Sequence, residues 1–451
     1  VREQPAAEAL DFEYRTQRQR VLFGSGRAAE LLARVLSEFG EHGELGSKDD
    51  KHDEHDELDG KDNKHDELGG KDNKHDELGG KESGTPSATP SGTAQAAETP
   101  GATGGTNTDN TPRVMVIASR RELERSAAVL AGIRAAVVFD EIVQHVPAES
   151  AERAHRAAQA ADIDVVVALG GGSAIGLSKI LSLRSDRPAG LSIVAVPTTY
   201  SGSEATAVWG LFENGVKTTG FDPRVLPGTV IYDPTLTLSL PSELGVSSAL
   251  NALAHGVDAL WAPGANPVSA LIAAEGIRML ARALPRIVAR PAVAGGDPDL
   301  GGGGIRGTFA AREDALYGAY LSANAFSSAG SGLHHKICHV LGGAFGLPHA
   351  QTHAIVLPHV VALNASAAPE AEVRIAAALG SSSAVEGLLA LRNSVHAPTA
   401  LRDFGFAESD IARAVELILP AVPASNPHPV TSDDLTVLLR NAWAGTAPGR
   451  R

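Results

Sequence analysis

Val165-Val-Val-Ala-Leu-Gly-Gly-Gly-Ser173 is the stretch that decides how this chain folds. Its apolar, largely β-branched start predicts a strand buried on both faces, as in a parallel sheet. The three glycines end that strand, and the residues from Ser173 open a helix. Backbone N–H groups exposed at such a helix start, with no side chains in the way, suit a pyrophosphate. The run is not the G-x-G-x-x-G fingerprint, and a plain strand-to-helix turn would read the same way.

Outward from there, Ser192-Ile-Val-Ala-Val196 is the next strand. It is followed by Pro197-Thr-Thr-Tyr-Ser-Gly-Ser-Glu204, whose hydroxyls suit a cofactor crevice at a strand's carboxyl end. The alternative is a polar loop with N-capping serines. Upstream, residues 20–24, 114–118 and 135–139 read as strands, and 28–39, 122–133 and 150–161 as helices. This alternation predicts a parallel sheet covered by helices on both faces. From Ser242 on, helical periodicity takes over at 244–261, 267–284, 311–327, 334–345 and 351–363. A glycine-rich patch, 295–304, is expected to be a surface loop. The organisation is therefore an α/β nucleotide-binding domain (1–40 and 113–241) and an all-helical substrate domain (242–451).

Residues 41–112 interrupt the first domain. Lys61-Asp-Asn-Lys-His-Asp-Glu-Leu-Gly-Gly70 recurs unchanged over 71–80, after a related unit at 51–60. One leucine per ten residues cannot bury a core, and a Gly/Thr/Ser/Pro-rich stretch follows, so a disordered insertion is expected. Weak cation binding by its acids with His52, His55, His65 and His75 is the alternative, although calcium-loop spacing is missing. The insertion holds eighteen acidic and seven basic residues, so −11 of the formal −14 lies there and the rest carries −3. With no basic stripe, nucleic acid is not an expected partner. No apolar run reaches the length of a membrane span. The polar, acidic start is unlike a secretory signal. Cys338 is the only cysteine, which excludes an internal disulfide and fits a reducing, cytoplasmic setting.

The histidines are the sharpest chemical signal. Asn251 and His255 are four apart on a helix and share a face, as do His335 and His339; His349 follows Pro348, and His334 and Lys336 flank His335. One buried histidine is usually structural; this many beside a nucleotide site point to catalysis. The candidate cofactor residues are Gly170, Gly171, Gly172, Ser173, Thr198, Thr199 and, after the second strand, Ser119. That strand's end, Ala118-Ser-Arg-Arg121, offers no acid for a ribose 2′-hydroxyl, and its arginines would suit a 2′-phosphate, so NADPH competes with NADH. Alternatively both arginines are solvated at a helix start.

These motifs resemble the iron-containing alcohol dehydrogenases, which have a Gly-Gly-Gly-Ser cofactor loop and a helical C-terminal domain. The resemblance implies a dehydroquinate synthase-like architecture, a homodimer and Lys217 as a ribose contact. In that family an Asp and three His hold the metal. The matching positions here are Asn251, His255, His335 and His349, with His339 between the last two beside the nicotinamide. Asn251 departs from the pattern. The branch with this change is the maleylacetate reductases, which the run from Leu333 to His359 resembles almost throughout, as do Pro197–Glu204, Trp209-Gly210, residues 222–227 and 251–255.

The resemblance implies reduction of the conjugated C=C of maleylacetate, a small dicarboxylate, to 3-oxoadipate in aromatic-compound degradation. Replacing Asp by neutral Asn weakens a metal site, so no metal is expected. His334, His335, His339 and Lys336 are expected to make the pocket cationic, with a histidine of near-neutral pKa, His339 by choice, supplying the proton. One alternative is a metal-dependent alcohol dehydrogenase acting on a simple carbonyl. Another is a non-catalytic scaffold that uses the acidic repeat.

Overall fold

The structure, a computed structural model, describes residues 12, 14, 18–42, 111–213, 216–288 and 302–449. The disorder and cation-binding expectations for 41–112 fall almost entirely outside these residues. By its contacts the chain divides into one unit of residues 1–46 with 111–451 and a second of 47–110.

The first unit opens with β1 (Arg20–Phe23), α1 (Ala28–His42), β2 (Val114–Ile117), α2 (Arg120–Arg125), α3 (Ala127–Leu130), β3 (Ala135–Phe139) and α4 (Ala148–Ala160). There follow β4 (Val165–Gly170), α5 (Gly172–Arg184), β5 (Ser192–Pro197), β6 (Val208–Glu213), β7 (Val216–Phe221) and β8 (Thr229–Tyr232). One sheet has the order β1-β8-β5-β4-β2-β3 with every pairing parallel. The alternating side chains of β2 and β4 explain the burial on both faces. Val114, Val116, Val165, Val167 and Leu169 pack with Leu31, Leu32 and Val35 of α1. Met115, Ile117 and Val166 pack with Ala151 and Ala154 of α4 and with Leu177 and Ile180 of α5.

The antiparallel hairpin β6–β7 and the strand β8 went unread in the sequence. The helix expected at 122–133 is two short helices, α2 and α3, divided at Ser126. Beyond Pro241 the described residues form helices only, beginning with α6 (Ser242–Ala259), α7 (Pro267–Val288), α8 (Gly302–Ala329), α9 (Leu333–Phe345) and α10 (His349–Asn364). The loop expected at 295–304 lies partly outside the described residues, but Gly302–Gly304 belong to α8. Buried Leu253 and Val257 of α6, Ile277 and Leu280 of α7, Leu316 of α8 and Ile337 of α9 share one core cluster with Ala168, Ile193 and Val230 of the sheet. Buried Arg312 adds a polar tie, its guanidinium donating to Thr237 O and, at 3.3 Å, to Tyr200 OH.

Candidate active site

The chain runs from β2 out to β3, returns past β2 to β4, and continues to β5 on the other side. The order in which the chain adds strands therefore reverses between β2 and β4, where the carboxyl ends of the parallel strands leave a crevice. A cavity of about 900 Å³ opens there. Ser119 beyond β2, Gly170, Gly171, Gly172 and Ser173 around the end of β4, Thr198 and Thr199 beyond β5, and Lys217 of β7 all line it. Gly171 is the N-cap of α5 and no side chain caps that helix, so its first N–H groups are left for a ligand. A Cβ on Gly171 would stand 2.8 Å from Thr199 Cγ2, so only glycine fits without a shift. Gly170 has φ +149°, a region that disfavours side chains. The hydroxyl of Ser119 accepts from Glu122 N at 3.3 Å, which ties it to capping α2.

The same cavity continues to the imidazoles. Asn251 and His255 of α6, His335, Lys336 and His339 of α9, and His349 at the start of α10 line it. The rings of His255 and His335 stack at 4.8 Å, and those of His339 and His349 at 6.2 Å. Phe326 of α8 lies 4.4 Å from the His335 ring, closing one side. Gly202, at φ +74°, lets the loop after β5 come against His255; a Cβ there would lie 3.2 Å from His255 Nδ1. Asn251 Nδ2 donates to Ser201 O at 3.4 Å.

Two expectations need correction. His334 does not face the cavity. It is fully buried behind it, with Nε2 2.9 Å from His353 Nδ1 and 3.7 Å from Cys338 Sγ. Successive helical residues point about 100° apart, and the phase of α9 that brings His335, Lys336 and His339 to the cavity leaves His334 behind it. His334, Cys338 and His353 are a close donor group, within 4.8 Å, but the facing ring nitrogens already bond each other.

Nor are the histidines cationic. Desolvation, with repulsion from Lys217 and Lys336 and between the rings, pushes His339 to about 3 and His335 and His349 well below their usual value. Desolvation carries His255 to about 4 although Asp258 opposes the shift. The rings are neutral donors and acceptors near pH 7, and the positive groups lining this part of the cavity are Lys336 and Lys217. Burial lowers the pKa of Lys217 as well.

Sequence reading missed several lining residues. Glu122, the third residue of α2, is an acid in the crevice whose pKa desolvation raises. His145 lines it with φ +68°, an uncommon conformation for a non-glycine residue. Ser331, its Oγ buried without a hydrogen-bond partner among the described residues, sits just before α9. The acid at Glu122 was legible as a residue near a strand end, while His145 carried no local signal.

The comparisons with known proteins agree with this geometry. The family model described as "Iron-containing alcohol dehydrogenase" matches residues 100–234, and "Fe-containing alcohol dehydrogenase family, C-terminal" matches 245–443. Among curated relatives, maleylacetate reductase of Sphingobium indicum is 44% identical over 336 residues, covering 74% of this chain and 90% of that protein. Maleylacetate reductase of Burkholderia cepacia is 46% identical, covering 72% of this chain and 87% of its own length. Among solved structures, an iron-containing alcohol dehydrogenase from Corynebacterium glutamicum superposes with TM-score 0.74 at 44% identity, covering 97% of this chain and 98% of its own. A maleylacetate reductase from Agrobacterium tumefaciens gives TM-score 0.72 at 31% identity, covering 98% and 100%.

The expectation of no metal is overturned by the iron-containing family match over both halves of the fold. Neutral Asn251 weakens one donor but does not abolish the set. Among the described residues Asn251 Oδ1, His255 Nδ1 and His335 Nε2 are buried with no hydrogen-bond partner, and His349 lines the same cavity. In donor chemistry, three neutral imidazoles and an amide oxygen suit a divalent transition-metal ion. The chain belongs to the iron-containing alcohol dehydrogenase family.

Proposed function

We propose that this chain catalyses nicotinamide-dependent reduction of the conjugated C=C of maleylacetate to 3-oxoadipate. The observation that carries the reading is a single cavity whose one end is a glycine-lined helix start and whose other end is a cluster of neutral imidazoles with Lys336. The identity to named maleylacetate reductases over most of their length supports the substrate.

The N–H groups at the start of α5 take the coenzyme pyrophosphate, and Thr198, Thr199 and Lys217 border it. A nicotinamide coenzyme bound there would supply hydride to the alkene carbon beta to the ketone. The electron pair of the double bond moves onto the ketone oxygen, and the resulting enolate takes a proton at the alpha carbon. Donors placed in advance at the ketone oxygen stabilise that charge, and desolvation strengthens them. His339 as a neutral ring donates a hydrogen bond and relays a proton without carrying a resting charge. The Lys336 ammonium balances substrate carboxylate. Asn251, His255, His335 and His349 would hold the metal, which when bound supplies Lewis acidity toward a substrate oxygen.

For the coenzyme, Arg120 is engaged by Asp140 at 2.7 Å, whereas Arg121 and Glu122 both line the crevice. Arg121 favours a 2′-phosphate and Glu122 a free 2′-hydroxyl, so both NADH and NADPH are accepted.

The alcohol dehydrogenase reading is kept alive by the metal-compatible donor set. Anaerobic mixing of the protein with NADH and maleylacetate, and separately with short aldehydes, decides between them. Rapid NADH loss with maleylacetate is expected. Loss with aldehydes alone would overturn the proposal.

A further inference from the structure

We propose that Asp258 is a positioning residue that fixes His335 in the tautomer with its proton on Nδ1, so that Nε2 presents a lone pair to the cavity. This rests on the reading of His335 as a site ligand. Asp258 lies three residues after His255 on α6, is fully buried, and does not line the cavity. Its Oδ2 stands 2.7 Å from His335 Nδ1 and accepts from His335 N at 3.1 Å. Its Oδ1 accepts from Trp261 Nε1 at 3.1 Å.

Every group facing this carboxylate is therefore a donor. The backbone N–H and the indole N–H have no alternative, so the ring nitrogen that meets the same oxygen carries the proton too. The other ring nitrogen, Nε2, is then a bare lone pair, and it is buried with no hydrogen-bond partner among the described residues. A neutral imidazole binds a cation only through such a lone pair, and a carboxylate on the far nitrogen raises its basicity.

The same contact builds the helix. Gly332 is the N-cap of α9 and has no side chain, so Asp258 supplies from α6 the acceptor that an N-cap side chain would give to the N–H of the third helical residue. A Cβ on Gly332 would stand 2.5 Å from Asp258 Oδ1, so glycine is needed for the approach. The carboxylate thus locks the start of α9 and the ring of His335 in one contact.

Asp258→Asn tests this through donor logic. An amide has one NH2, and either way round it meets a donor. Turned toward His335 it faces the backbone N–H and drives the ring proton to Nε2; turned the other way it faces Trp261 Nε1. Trp261→Phe removes that indole donor and leaves the NH2 a free side. The readout is Zn²⁺ affinity of chelator-stripped full-length protein by titration calorimetry, with NADH affinity as the control for an intact fold. Asp258→Asn is expected to weaken Zn²⁺ binding about 10- to 100-fold with NADH affinity unchanged. Asp258→Asn with Trp261→Phe is expected to recover to within about fivefold of Trp261→Phe alone, because the carbonyl again accepts from Nδ1. A purely structural carboxylate would show no rescue on deleting a second hydrogen bond. Wild-type Zn²⁺ affinity in Asp258→Asn, or a double variant no better than the single one, would overturn the proposal. Neither measurement uses maleylacetate, so a failure of the substrate assignment leaves this test standing.

Discussion

The imidazoles of His255 and His335 stack with centroids 4.8 Å apart and planes 11° from parallel, one from α6 and the other from α9. Protonating either ring would bury a cation against its neighbour. The first prediction concerns acid stability of the metal-free protein. Burial depresses His255 to about 4 and His334, His339 and His359 to about 3, and lowers His335, His349 and His353 well below 6.5. Below pH 6.5 the unfolded chain binds protons that the folded chain refuses, so stability falls as pH falls from about 6.5 toward 4. Each such group contributes at most about 1.4 kcal/mol per pH unit in that window. Glu122 and Glu204, whose carboxyl pKa values burial raises, act in the opposite sense but are outnumbered. Thermal unfolding should show a steep drop in Tm between pH 7 and 5; a flat profile would mean that the rings are not held neutral.

This neutrality was illegible in the sequence because it is collective: no histidine is buried by its own neighbours in the chain. The strand and glycine run at 165–173 was legible because β-branched burial and a glycine turn are local facts. The i, i+4 pairs Asn251/His255 and His335/His339 were legible for the same reason. The hairpin β6–β7 was not, since Val208–Glu213 is half-buried, contains a glycine and alternates weakly. Asp258 reads in sequence like any acid on a helix, and only the approach of α9 adds His335 to its local partner Trp261. His334 and His335 look equivalent until the phase of α9 is fixed.

Gly171→Val tests the coenzyme end. The added side chain would collide with Thr199 and fill the space over the start of α5. NADH affinity should fall at least about tenfold, on the scale of one lost charge-assisted hydrogen bond, while circular dichroism stays native. A folded variant with unchanged NADH affinity would remove the phosphate role from this turn.

Arg121→Ala should shift coenzyme choice. Arg121 lines the crevice and Arg120 is held by Asp140, so only the former is available to a 2′-phosphate. The ratio of kcat/KM for NADPH to that for NADH should drop by about tenfold, the value of one charged hydrogen bond. Equal losses with both coenzymes would show a general structural effect instead.

Replacing residues 45–110 by a Gly/Ser linker of about ten residues should leave Tm and turnover nearly unchanged. The expectation rests on the single leucine per ten-residue repeat unit, too little apolar surface to bury a core. A large loss of Tm or of kcat in the shortened chain would make the repeat part of the folded enzyme.

Asn251 sets the strength of the metal site. Its Nδ2 is spent on Ser201 O, and its Oδ1 is buried without a partner among the described residues, so the amide oxygen is the donor it offers. An amide oxygen is a weaker ligand than a carboxylate because it carries no net charge to offset the cation. Wild-type protein should therefore bind one divalent ion with modest affinity, and Asn251→Asp should bind it at least about tenfold tighter, as an anionic oxygen joins three imidazoles. Asn251→Ala should bind it more weakly than wild type. The same Asp would place a negative charge in the cavity that Lys336 shares. KM for a dicarboxylate should rise in Asn251→Asp, and the rise should shrink when metal saturates the site, since the bound cation cancels the new charge. Calorimetric Zn²⁺ titrations of the three proteins, with steady-state kinetics before and after metal loading, measure both effects. Equal Zn²⁺ affinity in all three would place the ion away from Asn251. A KM that rises further on metal loading would show that the cation competes with substrate for the imidazoles rather than supporting it.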